Sequence, residues 1–485
     1  MEKIPSILDH YPNYQIDIGI EVHVQLDTKS KIFCASSNAQ TENPNEHICQ
    51  ICTGYPGTLP VLNKKVVEFG IKAALATNST IAKKCSFARK HYFYPDLPKN
   101  YQITQDKEPI CTEGKITITK EDGSTKDIRL IRIHIEEDAG KNIHAQSGES
   151  FVDFNRTGTP LLEIVSYPDI KSTDEVRAYL KKLRALVQYI GISTGNMEEG
   201  SFRADTNISV RKKNDSQLGT RCELKNINSF KFISDAVEYE IERQIQLIES
   251  GEKVKQQTRL WDTKKHETRP MRSKEEAADY RYFPDPDLPI IEINNEWIER
   301  IQAQLPELPD QKHTRLKKQY GINDYEADIL IEDRELAAYF EETAKHTTNS
   351  QLINWILRDV MGYLKEHKEL IANFKVTPIK LAELMNLLAQ NIINNRAAQE
   401  VFIEVAQYGS SPQEVVTAKG LEQIDDSAEL EKIILALLKA HPENVAAYKA
   451  GKDKLFGFFV GQAMQKTKGK GNPQTITELL KKHLS

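Results

Sequence analysis

The first strand-like segment of the chain carries acidic and imidazole side chains at every second position. Over residues 15–26 apolar and polar residues alternate. Side chains alternate across a strand, so Asp17, Glu21, His23 and Gln25 share one face. A carboxylate and an imidazole that share a face can bind one divalent cation. The alternative is the solvated face of a half-buried sheet.

Other strand-like segments repeat this pattern. Asp205 shares a face with Arg203, Glu223 shares a face with Lys225, and Glu163 interrupts an apolar strand, where a lone carboxylate is unfavourable. Clustered carboxylates repel one another unless cations lie between them. Oxygen ligands with one histidine suit Mg²⁺ or Mn²⁺ better than zinc. Together these segments indicate a metal-dependent site for phosphoryl transfer.

A basic and aromatic stretch follows at residues 88–105. Lys90 and Lys99 flank Tyr92, Phe93 and Tyr94. The lysines could neutralise phosphate charge while the aromatic rings stack on a base. The alternative is a strand–turn–strand unit with aromatic residues in the core and lysines on the surface.

Three cysteines have the spacing of an incomplete zinc site. Cys49 and Cys52 form a C-x-x-C pair, and Cys34 is the obvious third ligand. A closed structural zinc site needs four ligands, so His47 or another cysteine would have to supply the fourth. With six cysteines among 485 residues the chain is not a disulfide scaffold, and we expect a reducing cytoplasmic location.

The end of the chain is basic. Lys466, Lys468 and Lys470 follow an apolar helical segment, where they could bind phosphates of a nucleic acid. The alternative is a solvated helix end, at which lysines are favoured by the helix dipole.

Several classes of protein are excluded. The sequence contains no GxxxxGK[ST], GxGxxG, HExxH or GxSxG motif, so ATP chemistry would rely on carboxylate-held magnesium and scattered basic residues. No run of 18 apolar residues predicts a membrane span, and no secretory signal is visible. The net charge of −5 excludes a uniformly basic protein, though not a local basic patch.

The elements that position these residues predict an α+β fold. Residues 1–290 contain many short alternating segments and two helical patterns, at 172–191 and 234–251, which favours a large, mainly antiparallel sheet. Three prolines within 281–289 mark a boundary. We expect an all-helical domain over 291–410 and a helical tail domain over 411–485.

Long motifs in this order resemble one family, the GatB family of aspartyl/glutamyl-tRNA(Asn/Gln) amidotransferase B subunits. They include IGIEVHVQL, RKHYFYPDLPKNYQ, HIEEDAGK, NRTGTPLLEIVSYPDI, MEEGSFRADTNISVR, GTRCELKNINSF, DYRYFPDPDLP and GFFVGQAMQKTKGKGNP. The resemblance covers nearly the whole chain. It implies a cradle domain, then a helical domain, and then a YqeY-like tail that holds tRNA.

The resemblance also implies a reaction. ATP and Mg²⁺ would phosphorylate the side-chain carboxylate of Glu-tRNA(Gln) or Asp-tRNA(Asn), and ammonia would then displace the phosphate. A partner amidase subunit (A) would release the ammonia from glutamine and deliver it through an internal channel. A small subunit (C) would complete a heterotrimer.

Site residues are carried over from the matching motifs. One Mg²⁺ is expected at His23, Glu137 and Glu163, and a second cation at Glu21, Asp205 and Glu223. Phosphate or carboxylate contacts are expected from Lys90 and Lys99, and channel or phosphate contacts from Arg203 and Lys225. Glu137 would face away if its strand stayed regular, so we expect a bend or strand end there.

One departure from the family concerns zinc. Members that bind zinc carry Cys-x-Cys before the C-x-x-C pair, whereas Ser36 stands where the second cysteine would be. Two alternatives to the enzyme subunit are a non-catalytic tRNA-binding scaffold and a free-standing ATP-dependent amide ligase for a small molecule. The basic tail argues against the second of these.

Overall fold

The structure is a computed structural model. It describes residues 7–120, 122–145, 148–273, 279–423, 427–467 and 469–484. The chain divides into two compact units, Met1–Lys312 and His313–Ser485. The boundary predicted after residue 290 therefore falls inside the first unit. The reason is that Ile291, Ile293 and Ile301 are buried in the core of that unit.

The first unit is built from short and long strands with a few helices. Its strands are β1 Tyr14–Gln25, β2 Thr80–Ile81, β3 Lys84–Cys85, β4 Ala88–His91, β5 Tyr101–Thr104, β6 Cys111–Thr112, β7 Lys115–Thr119, β8 Thr125–Glu137, β9 Lys141–His144, β10 Ser150–Asp153, β11 Pro160–Ser166, β12 Phe202–Lys212, β13 Cys222–Lys225, β14 Gln257–Asp262, β15 Glu267–Ser273, β16 Phe283–Pro284 and β17 Ile291–Glu292. Its helices are α1 Ile7–His10, α2 Lys64–Ala76, α3 Thr173–Tyr189, α4 Phe230–Glu249 and α5 Asn295–Ala303, and α6 Pro309–Tyr320 follows.

Thirteen of these strands form one large sheet. Its main order is β15-β14-β13-β12-β1-β11-β8-β5-β4-β16, with β6 and β7 paired with β8 and β2 paired with β6. Within the described residues β13 and β14 are the one parallel pair, and the remaining neighbours are antiparallel. The predicted large, mainly antiparallel sheet is confirmed.

The side chains of the long central strand β1 point alternately to two different faces of the sheet. Helices cover one face, and the other is polar. Ile16, Ile18 and Ile20 are at most 1 % exposed and belong to the same core as apolar residues of α2, α3 and α4. Full burial of such a side chain stabilises the fold by about 1.5–3 kcal/mol. The alternation of β1 therefore leaves its polar residues on the opposite face, where the site lies.

The second unit is helical, as predicted. Its further helices are α7 Asp324–Glu332, α8 Arg334–Ala344, α9 Leu352–Trp355, a π-helix Ile356–Val360, α10 Met361–His367, a 3₁₀ helix Ile371–Asn373, α11 Pro378–Ala389, α12 Asn395–Tyr408, α13 Pro412–Lys419, α14 Ser427–Ala440, α15 Pro442–Lys449, α16 Leu455–Lys466 and α17 Pro473–Leu484. Among the described residues no helix is both long and apolar enough to cross a bilayer.

Two apolar clusters hold the second unit together. Val415 and Val416 of α13 belong to the first cluster, and the second begins at Leu430. The tail boundary predicted at residues 410/411 thus falls within the first cluster. The separation of the two clusters lies between Leu421, which packs against the first, and Leu430.

Candidate functional site

A cavity of about 990 Å³ opens on the polar face of the sheet in the first unit. Strand pairing places His134, Glu163, His23 and Arg203 side by side across β8, β11, β1 and β12. Glu21 and Asp205 are paired directly in the neighbouring row. The sheet register, rather than any single loop, therefore brings these polar groups together.

His23 is the centre of an acidic cluster on the cavity wall. Its Nε2 lies 3.3 Å from Glu136 Oε1, 3.6 Å from Glu21 Oε1 and 3.8 Å from Glu163 Oε2. One ligand atom each of Glu21, His23 and Glu163 lies within 4.8 Å of the others. Carboxylate oxygens with one imidazole are the donor set that suits Mg²⁺ or Mn²⁺.

The protonation states in this cluster follow from burial and from charge. Although burial opposes a charged imidazole, the carboxylates of Glu136, Glu21 and Glu163 raise the pKa of His23 to about 9. Burial likewise opposes ionisation of Glu136, but His23 lowers its pKa to about 2. Burial and the neighbouring carboxylates raise the pKa of Glu163 to about 7. The carboxylates thus attract positive charge to this cluster. A divalent cation would supply it in place of the His23 proton, because only the neutral imidazole binds a metal.

Glu137 is not part of this cluster, contrary to the sequence prediction. The strand end expected at Glu137 is present, because β8 ends at that residue, but the side chains alternate up to it and no bend turns Glu137 toward His23. Glu136 consequently lies at His23, whereas Glu137 pairs with Lys99 and accepts a hydrogen bond of 2.9 Å from Ile103 N. Both Lys99 and Glu137 line a smaller cavity of about 200 Å³.

The residues predicted to hold a second cation are arranged around a lysine. Lys225 Nζ lies 2.6 Å from Asp205 Oδ2 and 3.3 Å from Glu223 Oε1. Burial acts to lower the pKa of Lys225, but Asp205 and Glu223 outweigh it and raise that pKa. Glu21 instead contacts His23. A cation at Asp205 and Glu223 would have to displace the Lys225 ammonium.

Basic side chains lie on the cavity wall near the acidic cluster. Lys90 lines the cavity, and its Nζ is 4.8 Å from the centre of the Tyr280 ring. Arg203 also lines the cavity and donates a hydrogen bond of 2.7 Å to Asp138 Oδ2, which also accepts one from Gln25. These cations can contact phosphate oxygens of a bound nucleotide. The predicted pair of Lys90 and Lys99 is divided between the two cavities.

Three thiols lie beside the smaller cavity. The sulfur atoms of Cys34, Cys49 and Cys52 lie within 4.8 Å of one another, and the buried Lys31 Nζ is 3.7 Å from Cys52 Sγ. Hydrogen bonding from Cys34, helped by Lys31, lowers the pKa of Cys52 to about 5, and the pKa of Cys34 is raised.

The thiol cluster does not complete a closed zinc site. Among the described residues it contains three ligands, and His47 is not among the groups that lie within 4.8 Å of one another. The Lys31 ammonium lies where it can balance thiolate charge. Zinc binding by this cluster stays a prediction.

The tail lysines lie in the second unit. Lys466 ends α16 and is exposed, and Lys470 is half-buried. Lys468 lies outside the described residues. Their predicted role in binding tRNA stays a prediction.

Sequence reasoning noted Glu136 as one of three acidic residues at a strand end but assigned neither it nor His134 and Arg132 to the site. All three occupy even-numbered positions of β8 and share its polar face. Strict alternation in RLIRIHIEED would have selected Glu136 over Glu137. Arg132 and His134 looked like ordinary surface positions, since nothing in a single strand reveals which residues face it across the sheet.

Comparisons with known proteins cover almost the whole chain. The family model described as the GatB/GatE catalytic domain matches residues 16–299, and the one described as the GatB domain matches residues 338–484. Three of the similar curated proteins are named as B subunits of an aspartyl/glutamyl-tRNA(Asn/Gln) amidotransferase. That of Geotalea daltonii is 52 % identical over 476 residues, 97 % of this chain and 99 % of the relative. That of Thermodesulfovibrio yellowstonii is 49 % identical over 472 residues, with the same coverage. That of Prosthecochloris aestuarii is 48 % identical over 473 residues, 97 % of this chain and 98 % of the relative.

Proposed function

Because the chain belongs to the GatB family of tRNA amidotransferase subunits, we propose that it amidates a glutamate or aspartate residue esterified to tRNA. The products would be Gln-tRNA(Gln) or Asn-tRNA(Asn). The working enzyme is then an ATP-dependent carbon–nitrogen ligase of the cytoplasm. Its amidase A subunit releases ammonia from glutamine, and a small C subunit completes the heterotrimer.

This proposal rests on one observation. An acidic cluster lies on the wall of the large cavity, and basic side chains lie close to that cluster. A carboxylate is a poor electrophile, so one of its oxygens must become part of a leaving group. Phosphoryl transfer depends mainly on positioning and on neutralising charge. His23, Glu136, Glu163 and Glu21 would hold Mg²⁺, which when bound supplies that neutralisation at the phosphate oxygens.

The chain's own residues account for the remaining requirements. Lys90 and Arg203 lie where they can bind phosphate oxygens, while Asp138, which accepts a hydrogen bond from Gln25, fixes the Arg203 guanidinium. The substrate carboxylate oxygen attacks the terminal phosphorus of ATP, and ADP departs. Ammonia then attacks the acyl carbon, inorganic phosphate departs, and the surplus proton leaves to solvent or to a basic side chain. Water must be excluded, because the acyl phosphate hydrolyses readily.

The test uses the complex assembled with its amidase and small subunits. Charged Glu-tRNA(Gln) and Asp-tRNA(Asn) are supplied separately with ATP, using ammonium as nitrogen donor so that glutaminase activity is bypassed. ADP and amidated aminoacyl-tRNA are measured. We expect Glu163→Gln to lower the rate on the order of 100-fold.

A matched control lies on the strand that carries Glu136. Asp127→Asn removes an exposed carboxylate from β8, paired with Lys115 at 2.7 Å, and should leave the rate unchanged. Amidation by Glu163→Gln at the wild-type rate would contradict the assignment of the cluster. ATP turnover that persists without this subunit would favour a scaffold.

A further inference from the structure

Glu163 uses its two carboxylate oxygens in different directions. Oε2 faces His23 at 3.8 Å on the cavity side. Oε1 instead faces Arg132 Nη2 at 3.6 Å and His134 Nδ1 at 3.9 Å. Glu163 lines the large cavity, whereas Arg132 and His134 are absent from its lining. The two basic residues therefore contact Glu163 from the side away from the ligand space.

Strand register makes this arrangement a rigid one. His134 is the direct cross-strand partner of Glu163 in the pairing of β8 with β11, and His23 is its direct partner on the other side. The His134 side chain is only 6 % exposed. Glu163 is thus held between two imidazoles at neighbouring sheet positions, and neither can move far without disturbing the ladder.

A second observation points to the same place. Among the described residues, Arg132 Nε is a buried nitrogen atom with no hydrogen-bond partner. Such groups are rare in folded proteins because leaving them unsatisfied is costly, about 1–3 kcal/mol each. Arg132 is thus held beside Glu163 at a cost to stability, as expected for a residue that positions a functional side chain.

We propose that Arg132 and His134 are positioning residues that fix Glu163 Oε1, so that Oε2 is presented to the cation. The inference rests on the proposed function, because it needs a cation at the acidic cluster. Ligating carboxylates in proteins are commonly held by such outer contacts, and their removal typically weakens metal binding about 10–100-fold. Neither residue lines the cavity in which the substrate would bind.

Because His134 faces Glu163 through Nδ1, substitutions of His134 can be chosen that keep or remove this contact. An asparagine places its amide nitrogen close to the position of a histidine Nδ1, whereas the amide of glutamine reaches toward Nε2. His134→Asn should therefore keep the contact with Glu163, and His134→Gln and His134→Leu should lose it. His91→Leu is the matched control, since that imidazole stacks on Phe283 at 4.9 Å and makes none of the described contacts with Glu163.

The experiment measures binding of Mn²⁺ alone to the full-length chain by electron paramagnetic resonance, without ATP or tRNA. We expect the dissociation constant to rise about 10–100-fold in His134→Leu and His134→Gln. We expect it to stay within about threefold of wild type in His134→Asn and His91→Leu. Thermal unfolding of each variant identifies any that fail to fold. Arg132→Leu, with Arg132→Lys as its conservative variant, provides a second test that does not alter the buried imidazole.

The kinetic readout in the assembled complex separates positioning from general damage. In His134→Leu the Mg²⁺ concentration for half-maximal amidation should rise, and kcat should recover at saturating Mg²⁺. Mn²⁺ binding at wild-type strength in both His134→Leu and Arg132→Leu would overturn the inference and leave the proposed function intact. Equal weakening by asparagine, glutamine and leucine would overturn the Nδ1 contact. Absence of Mn²⁺ binding to the wild-type chain would instead overturn the cation site, and this inference with it.

Discussion

The thiols of Cys34, Cys49 and Cys52 lie beside the Lys31 ammonium. A structural zinc site would have a fourth ligand in place of that ammonium. Ser36 is close to the cluster, because its side chain and backbone both hydrogen-bond with Cys34. Ser36→Cys would therefore bring a fourth sulfur beside the other three. We expect the wild-type chain to bind zinc weakly and Ser36→Cys to bind it stoichiometrically, since a tetrahedral set of thiolates is then available.

This prediction is checked with a chromogenic zinc competitor on chain purified under reducing conditions. Ser37→Cys is the matched control, because it adds a thiol one position away in the same segment. Stoichiometric zinc in the wild-type chain would show that three thiols and a further ligand suffice.

Asp17 is a buried carboxylate at the other end of the polar face of β1. It is 2 % exposed, pairs with Lys171, and accepts a hydrogen bond of 2.7 Å from Arg211 Nε. Burial acts to raise the pKa of Asp17, but these two cations outweigh it and lower that pKa. Asp17→Asn should reduce the free energy of unfolding by about 3 kcal/mol at pH 7, because two cations lose their partner.

The pH dependence follows from the direction of that shift. A lowered pKa in the folded state stabilises the protein fully above the unfolded value of about 4. This stabilisation disappears as the pH falls through the folded-state pKa. Denaturation at a series of pH values should therefore show the wild-type and Asp17→Asn curves converging below about pH 4. Asp127→Asn, at an exposed pair, should cost less than about 1 kcal/mol, and a constant gap at all pH values would contradict the explanation.

At the scale of elements, one buried carboxylate of helix α4 contacts the outer strands β14 and β15 of the sheet. Glu240 is fully buried and accepts hydrogen bonds from Arg243, Gln244 and Thr268. Its Oε2 also lies 3.2 Å from Arg259 Nε on β14. Glu240→Leu should destabilise the first unit by about 3–5 kcal/mol, because the nearly buried Arg259 loses its counter-charge.

Hydrogen exchange followed by mass spectrometry locates this effect. Faster exchange is expected in β14 and β15 and not in β7, which lies elsewhere in the sheet. Glu240→Leu also leaves Arg243 without its partner. Adding Arg259→Met to Glu240→Leu removes the more buried of the two stranded cations and should recover part of the stability. Unchanged exchange in β14 would show that α4 is held by apolar contacts alone.

The alternation of side chains along the strands predicted much of the acidic cluster. At Glu137 the prediction departed from this alternation and was wrong. His23 of β1 and Glu163 of β11 lie together as predicted, whereas Glu21, which was assigned to a second cation, joins them. Glu137 was placed in the cluster on the expectation of a bend or strand end; β8 does end there, but its side chains alternate up to Glu137. The register that sets His134 beside Glu163 depends on long-range pairing, so no local pattern could have revealed it. The first compact unit extends past the prolines at 281–289 to Lys312, because prolines mark a change in backbone and not the edge of a core.

At the scale of the whole molecule, the tail lysines provide a test of nucleic-acid binding that needs no truncation. Lys466→Gln with Lys470→Gln should raise the KM for charged tRNA and leave kcat at saturating tRNA unchanged. The slope of log affinity against log salt should fall by about one for each phosphate that the tail no longer binds. Steady-state kinetics at several salt concentrations measure both.

The control for this prediction is a lysine of the first unit. Lys84 is 64 % exposed and pairs with Glu292, so Lys84→Gln removes a surface charge outside the tail. A KM that is unchanged by the double substitution would exclude these two lysines from tRNA recognition.

The pairing of β11 with β8 contains an irregularity between Val165 and Ser166, where β8 has one extra residue. Downstream of it the ladder runs without interruption to Glu136 and Glu137. A one-residue insertion or deletion in that downstream part would exchange the two glutamates, turning the partner of Lys99 toward His23. Length variation before the irregularity can be absorbed there. Homologous chains should accordingly tolerate gaps in the β7–β8 turn and reject them between Arg132 and Asp138.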